Sequence, residues 1–220
     1  MKTLPSEIEN GSMAIIEEEL KARGITLPPE NAAVVMRCIH ASADFDYAEN
    51  LRFTPGAAAR AVEALKNGAQ IVTDTNMALA GISRPGLNKL GGTAHCFMAE
   101  PLVAAAAARN GTTRAAAAVD YAAENHREAI FAVGNAPTAL FCLAEKIEAG
   151  LCPALVIAAP VGFVNVVEAK TRIFGTCEAY GIPCIAAMGR KGGSSIAAAV
   201  CNALIYTAAD MLDPKNRGWD

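Results

Sequence analysis

The sequence predicts a single α/β domain built on a doubly wound, mainly parallel five-stranded sheet with helices on both faces. Three observations predict it. Apolar runs of about five residues alternate with helical segments from residue 55 onward, the pattern of buried parallel strands joined by helical crossovers. The 220 residues are enough for one substantial core. No fixed-period repeat and no long linker divides the chain. One domain is therefore expected over 1–220, with a helical N-terminal segment over about 5–40 and an α/β core over about 55–211.

The elements follow in order. Pro5–Arg23 reads as a helix with the apolar stripe Met13, Ile15, Ile16 and Leu20, stopped by Gly24. A second helix starts near Pro29 and buries Val34, Val35, Cys38 and Ile39, leading to His40. The passage ASADFDYAENLRFTPG is polar and rich in turn formers. Helix Pro55–Asn67 precedes strand Ala69–Thr73 and a helical piece over Asn76–Ala80. Strand Thr93–Met98 is followed by helices Pro101–Asn110 and Arg114–Asn125. Strand Ala129–Val133, helix Pro137–Ala149, strand Ala154–Ala158 and helix Asn165–Tyr180 continue the alternation. Strand Pro183–Met188 and a long helix from Gly193 to about Met211 complete it. Alanine is dense in these helices and permits close packing.

Composition narrows the function classes. Hydrophobic residues make up 53%, charged residues 19% and aromatics 5%, which excludes a disordered polyelectrolyte. No uncharged apolar stretch reaches the length of about 18 residues that a membrane span needs, and the N-terminus has no apolar run of signal-peptide length. A soluble, cytoplasmic protein is expected. The net charge of −3 argues against bulk electrostatic binding of nucleic acid. The seven cysteines contain no CxxC pair, and Cys142, Cys152, Cys177, Cys184 and Cys201 sit in apolar runs. Free buried thiols are expected rather than disulfides or a zinc site, and no metal ligand set is assigned.

In an open α/β sheet, ligands bind beyond the carboxyl ends of the strands. Those ends carry GNAPTAL, PVGFVN and GRKGGSS. The last combines glycines, Arg190, Lys191 and a helix N-terminus, which together suit an anion. The same residues also read as a plain turn capped by Ser194 or Ser195. Asn135 and Gly162 read equally as ligand contacts or as turn and packing residues. Walker A, GxGxxG and GxSxG are absent. Among the three histidines, His126 reads as exposed and His95 as a satisfied core histidine. His40 lies near Asp44 and Asp46 and is the candidate general acid or base, against the alternative of a helix-end histidine bonded to backbone.

The motifs RCIHASADFDY, FTPGAAA, IVTDTNMALAGI, GNAPTAL, PVGFVNVVEAK and GRKGGSSIAAAVCNAL occur in this order. Together, from about Ile8 to Ala209, the chain resembles the precorrin-8X (cobalt-precorrin-8) methylmutases. The resemblance implies a Rossmann-like fold, a homodimer and an isomerase of cobalamin biosynthesis. The family moves a methyl group from C11 to C12 of the macrocycle by a formal 1,5-sigmatropic shift, giving hydrogenobyrinate or cobyrinate. It implies no cofactor, since any cobalt arrives with the substrate, and ADFDY resembles the versions of cobalt-first pathways.

The resemblance makes His40, in the motif with Arg37, the catalytic residue. It places Ser12 in GSMAII and Arg114 in TTRAAAA at the substrate, a flat corrinoid edged with carboxylates. Asn135, Gly162, Arg190, Gly192 and Ser194 join them as expected binding residues. Hand-over of product to the next enzyme fits such a protein. Two other readings remain: a non-catalytic corrinoid-binding or delivery protein of the same fold, and an α/β enzyme acting on a phosphorylated metabolite through GRKGGSS.

Overall fold

The structure is a computed structural model and describes residues 4–218. Helices α1 (Pro5–Ala22), α2 (Pro29–Ser42) and the short α3 (Tyr47–Asn50) come first. Strand β1 (Leu51–Phe53), helix α4 (Ala57–Lys66), strand β2 (Ile71–Thr73), helices α5 (Asn76–Gly81) and α6 (Arg84–Lys89) and strand β3 (Ala94–His95) follow. Then come α7 (Pro101–Asn110), α8 (Arg114–Asn125), β4 (Ile130–Val133), α9 (Pro137–Glu148) and β5 (Leu155–Ala158). The chain ends with α10 (Val166–Ala179), β6 (Cys184–Ala187), α11 (Ser194–Ala208) and a 3-10 turn over Pro214–Arg217.

The sheet has six strands, not the expected five, in the order β1-β6-β5-β4-β2-β3. The additional strand lies inside the passage taken as polar and turn-rich. Leu51 and Phe53 pair antiparallel with Ala187 and Ile185. Thr54 extends the pairing by exchanging bonds with Cys184, whose N–H donates to Thr54 Oγ1 at 2.8 Å. Three residues are too few to display an alternation, so only the exposed edge of β6 reveals this strand. All other pairs are parallel. The strand expected over 93–98 shrinks to Ala94–His95 at the opposite edge, because Phe97 leaves the sheet to stack in an aromatic cluster.

Period-2 alternation divides the side chains between two cores. Ile130, Ala132, Leu155, Ile157, Ile185 and Ala187 face α2, α4 and α11. Phe131, Val133, Val156, Ala158, Cys184 and Ala186 face α8, α9 and α10. Helices thus cover both faces, as four-residue strands buried throughout require. α11 is the central helix of its layer and packs against α2, α4, α5 and α6. Its small residues permit this closeness. A Cβ at Gly134, for example, would stand 2.7 Å from the Ser194 Cα.

The parallel strands leave β2 in two directions, β3 on one side and β4, β5 and β6 on the other. The connections therefore diverge between β2 and β4, and the crevice expected beyond their carboxyl ends is bridged by Asp74, which binds the Gly134–Ala136 turn. Cys38, Cys142, Cys177, Cys184 and Cys201 are buried free thiols, whereas Cys152 is free and exposed. Among the described residues no helix is long and apolar enough to cross a membrane.

Candidate active site

His40 sits in the last turn of α2, which stops at Ala43 in the left-handed conformation. The apolar stripe of α2 packs on α11, and that packing turns the Arg37–His40 side into a cavity of about 420 Å³. Pro5, Ile8 and Glu9 of α1, Asn202 and Tyr206 of α11, and Arg217 of the 3-10 turn complete its wall.

Charge is concentrated there. Glu9 Oε1 accepts from Arg37 at 2.8 Å and from Arg217 at 2.6 Å. Both guanidinium groups also lie against the Tyr206 ring, at 5.3 and 4.6 Å from its centroid. Two cations thus converge on the Glu9 carboxylate. Burial pushes the Glu9 carboxyl up, but the two arginines together outweigh burial and hold it below its usual value. His40 is pushed below its ordinary value by partial burial first and by Arg37 second, with Glu9 opposing. Among the described residues its imidazole has no hydrogen-bond partner, and the residue is exposed at the wall of the cavity. The expected alternative, a histidine bonded to backbone, is not what the structure contains. Ser12 lies one turn beyond Ile8 on the same side of α1, and its Oγ donates to the Ile8 carbonyl at 2.9 Å.

The other expected residues gather at the carboxyl edge of the sheet. Asp74, directly after β2 and 6% exposed, spans the crevice. Its carboxylate accepts N–H bonds from Gly134, Asn135 and Ala136, each at 2.8 Å. The start of α9 is thereby held by a side chain from a neighbouring strand and not by Asn135, whose own side chain is exposed. Burial raises the Asp74 carboxyl against the pull of these three donors. Thr75 Oγ1 and Ser194 Oγ are 2.8 Å apart, so Ser194 links the N-cap of α5 to the start of α11. Neither Ser194 nor Ser195 caps α11, because the N-cap is Gly193. Arg114 is exposed at the start of α8, and the adjacent Thr113 meets Thr138 of α9, hydroxyl to hydroxyl, at 2.9 Å.

The GRKGGSS turn is shaped by backbone demands. Gly192 has φ 155°, and a Cβ there would collide with the Ala159 carbonyl. Gly193 N–H donates to that carbonyl at 2.8 Å. Gly162 has φ 149° and donates to the Arg190 carbonyl at 3.2 Å. Beneath the turn, the fully buried Lys170 of α10 donates to the carbonyls of Gly189 at 2.9 Å and Lys191 at 2.8 Å. Burial lowers its pKa to about 8.

One expectation for this turn changes. Lys191 is not a cation facing solvent alone, because Asp44 and Asp46 each bind it at 2.6 Å. That pairing neutralises the charge counted towards an anion site and ties the end of the His40 helix to the turn. Arg190 is exposed and lies 5.6 Å from the centroid of the Phe163 ring. Phe163 and Val164 are themselves 81% and 77% exposed, so the PVGFVN loop presents an apolar surface beside a cation.

The other two histidines lie together away from this edge. His126 is half-buried, not exposed as expected, and its Nδ1 is 2.5 Å from Gln70 Oε1. It stacks on His95 and Phe97, while His95 Nε2 meets Thr93 Oγ1 at 2.9 Å.

The structure thus brings Arg37 and His40 into one cavity with Ser12 just beyond it, and brings Arg114, Asn135, Gly162, Arg190, Gly192 and Ser194 to the sheet edge. Sequence reasoning missed Glu9, Asp74, Lys170, Tyr206 and Arg217. Asp74 carries a detectable signal, a carboxylate directly after an apolar strand. The Glu9–Arg37–Arg217 cluster carries none, since its members are far apart in sequence.

Fold and site together define an α/β protein with a histidine–arginine cavity tied to the carboxyl edge of its sheet, the make-up of an acid–base enzyme for an anionic substrate. A family model described as precorrin-8X methylmutase matches residues 7–207. The chain is 40% identical to the cobalt-precorrin-8 methylmutase of Salmonella typhimurium over 209 residues, 92% of this chain and 95% of that protein. It is 40% identical to the precorrin-8X methylmutase of Pseudomonas aeruginosa over 197 residues, 88% and 91% of the two chains. A crystal structure of precorrin-8X methylmutase from Thermus thermophilus superposes with a TM-score of 0.83 at 41% identity, covering 92% of this chain and 98% of that one. The chain belongs to the precorrin-8X methylmutase family. It is an isomerase of cobalamin biosynthesis that moves a methyl group within one molecule.

Proposed function

We propose that this chain moves the methyl group from C11 to C12 of precorrin-8 or its cobalt form, with His40 as the acid. The observation that carries the reading is the convergence of His40 with Arg37, Glu9, Tyr206 and Arg217, from four separate segments, in one cavity. The Arg37 guanidinium at the cavity wall suits a peripheral carboxylate of the macrocycle. Once that carboxylate docks, the repulsion that disfavours imidazolium falls, and His40 takes up a proton. In the metal-free substrate imidazolium then donates to a ring nitrogen and draws electron density out of the conjugated system. The C11–methyl bond breaks as the C12–methyl bond forms, and the proton returns to His40. General acid catalysis of this kind contributes about 10²–10⁴ in rate.

Arg114 and Arg190, exposed at the sheet edge, are donors for further carboxylates, with Ser12 and Asn135 as polar contacts. Gly162, Gly192 and Ser194 shape the loops. The reaction consumes no methyl donor and needs no cofactor, and cobalt, where present, enters as part of the substrate. The Rossmann-like, doubly wound class is the finer reading of the fold. The exposed Phe163 and Val164 suit the apolar macrocycle or a second protomer of a homodimer. A cytoplasmic protein handing its product to the next enzyme completes the reading.

The test is an anaerobic incubation with precorrin-8 and with its cobalt form, followed by NMR of the product. A methyl resonance assigned to C12 is expected with at least one of them. Recovery of both substrates unchanged would sink the proposal.

A further inference from the structure

The chain passes beyond residue 207, where the family match ends, and folds back as a strap. Asp213 caps the 3-10 turn through Lys215 N–H at 3.0 Å. Asn216 Nδ2 fastens the strap to the Asp210 carbonyl at 2.9 Å. The strap packs on α1. It delivers Arg217 between Glu9 and Tyr206 with only 4% of its side chain exposed. A long cation buried this deeply forgoes hydration and rotamer freedom, so its place depends on the partners it meets. Those partners are the wall of the His40 cavity.

We propose that Arg217 is a positioning residue for the methyl shift: the C-terminal strap uses it to lock Arg37 and Glu9 in place and to set the charge that His40 faces. The proposal rests on the reading of His40 as the acid. The geometry supplies two separable contributions. The first is the fork. Arg217 binds the same Glu9 oxygen as Arg37 and covers the same aromatic ring, so Arg37 has one set of partners and one pose in which to receive a carboxylate. The second is the charge. Among the described residues, the charged and titratable groups that line the cavity with His40 are Glu9 of α1, Arg37 of α2, Arg217 of the strap and the Tyr206 hydroxyl of α11. Arg217 adds the second positive charge to this set and with Arg37 disfavours imidazolium until a substrate carboxylate arrives.

Replacing Arg217 by Met removes both contributions, and replacing it by Lys removes the fork but keeps the charge. Turnover of precorrin-8 is followed anaerobically by its visible bands across pH, for wild type, R217M, R217K and H40A. R217M is expected to raise KM roughly tenfold, the effect of one lost charge-assisted hydrogen bond. It also moves the alkaline limb of kcat/KM to higher pH. The sign follows from the roles: activity needs protonated His40 and falls as pH rises through its pKa, and removing a nearby cation raises that pKa. R217K is expected to keep the raised KM while its alkaline limb returns to the wild-type position. A wild-type KM together with a wild-type pH profile in R217M overturns the proposal, as does a lowered Tm with both unchanged. If R217M does not accumulate as folded protein, R217K decides, and a wild-type KM in it overturns the proposal. H40A separates the two readings. Wild-type turnover in H40A removes the acid itself, whereas an inactive H40A beside a normal R217M removes only the strap's role.

Discussion

Replacing Lys170 by Met tests whether a buried amine holds the turn that carries Arg190 and Lys191. The side chain is fully buried and its only acceptors among the described residues are the Gly189 and Lys191 carbonyls. Two acceptors match the two protons of a neutral amine, so the third proton of the ammonium lacks a protein partner there. Burial accordingly lowers its pKa from 10.5 to about 8. At 1.36 kcal/mol per unit, the ammonium is disfavoured in the fold by about 3 kcal/mol at neutral pH. The two hydrogen bonds return about 1 kcal/mol each. The net effect of K170M at pH 7 is therefore within about 1 kcal/mol of zero.

The sign of the pH dependence is fixed by linkage. Between the folded and unfolded pKa values the unfolded chain binds more protons, so wild-type stability rises as pH goes from about 8 to 10.5. K170M lacks this rise. Urea unfolding of both proteins at pH 7 and pH 10.5 is expected to show the difference moving by about 3 kcal/mol in favour of wild type. Cysteines and tyrosines that titrate in this range are common to both proteins and cancel. The slack turn is also expected to lower kcat/KM between ten- and roughly a hundredfold. An equal difference in stability at the two pH values would refute the reasoning, because the amine would then titrate as it does in the unfolded chain.

Two further substitutions probe the carboxyl edge. Asp74→Asn leaves one carbonyl oxygen for the three N–H donors of Gly134, Asn135 and Ala136. It is expected to destabilise by about 2–3 kcal/mol in urea unfolding, and wild-type stability would contradict the bridging role. Gly192→Ala drives a Cβ into the Ala159 carbonyl at φ 155°. A loss of at least about 3 kcal/mol or failure to accumulate is expected, and a lowering of Tm by less than about 2 °C would show that the turn has another accessible shape.

The alternating core was legible because β4, β5 and β6 are each a run of four buried residues followed by a helix, and several helices carry strong local signals. Pro137 opens α9, Gly111 ends α7, and Thr113 caps α8 with its own side chain. β1 was not legible, since Leu-Arg-Phe has no preference that survives without the edge of β6 beside it. His40 and Arg37 could be paired from sequence because they share a helix turn. Glu9 and Arg217 could not, as their meeting depends on α1 and the strap converging on α2. The same separation hid the true partners of Lys191. Asp44 and Asp46 are neighbours of His40 in sequence, yet they bind a lysine 147 and 145 residues further along the chain. Single-residue chemistry was thus readable wherever it is local, and the charge balance of the cavity was not, because Glu9 and Arg217 reach the Arg37–His40 turn from two other segments.

The central claim is that His40 supplies the proton for the methyl shift. The most direct measurement is a single-turnover anaerobic visible spectrum of precorrin-8 bound to wild type and to His40→Ala, with bound corrinoid quantified in each sample. The account predicts stoichiometric binding in both and a shift of the absorption bands in wild type alone. A band shift at the wild-type rate in the alanine variant would contradict it.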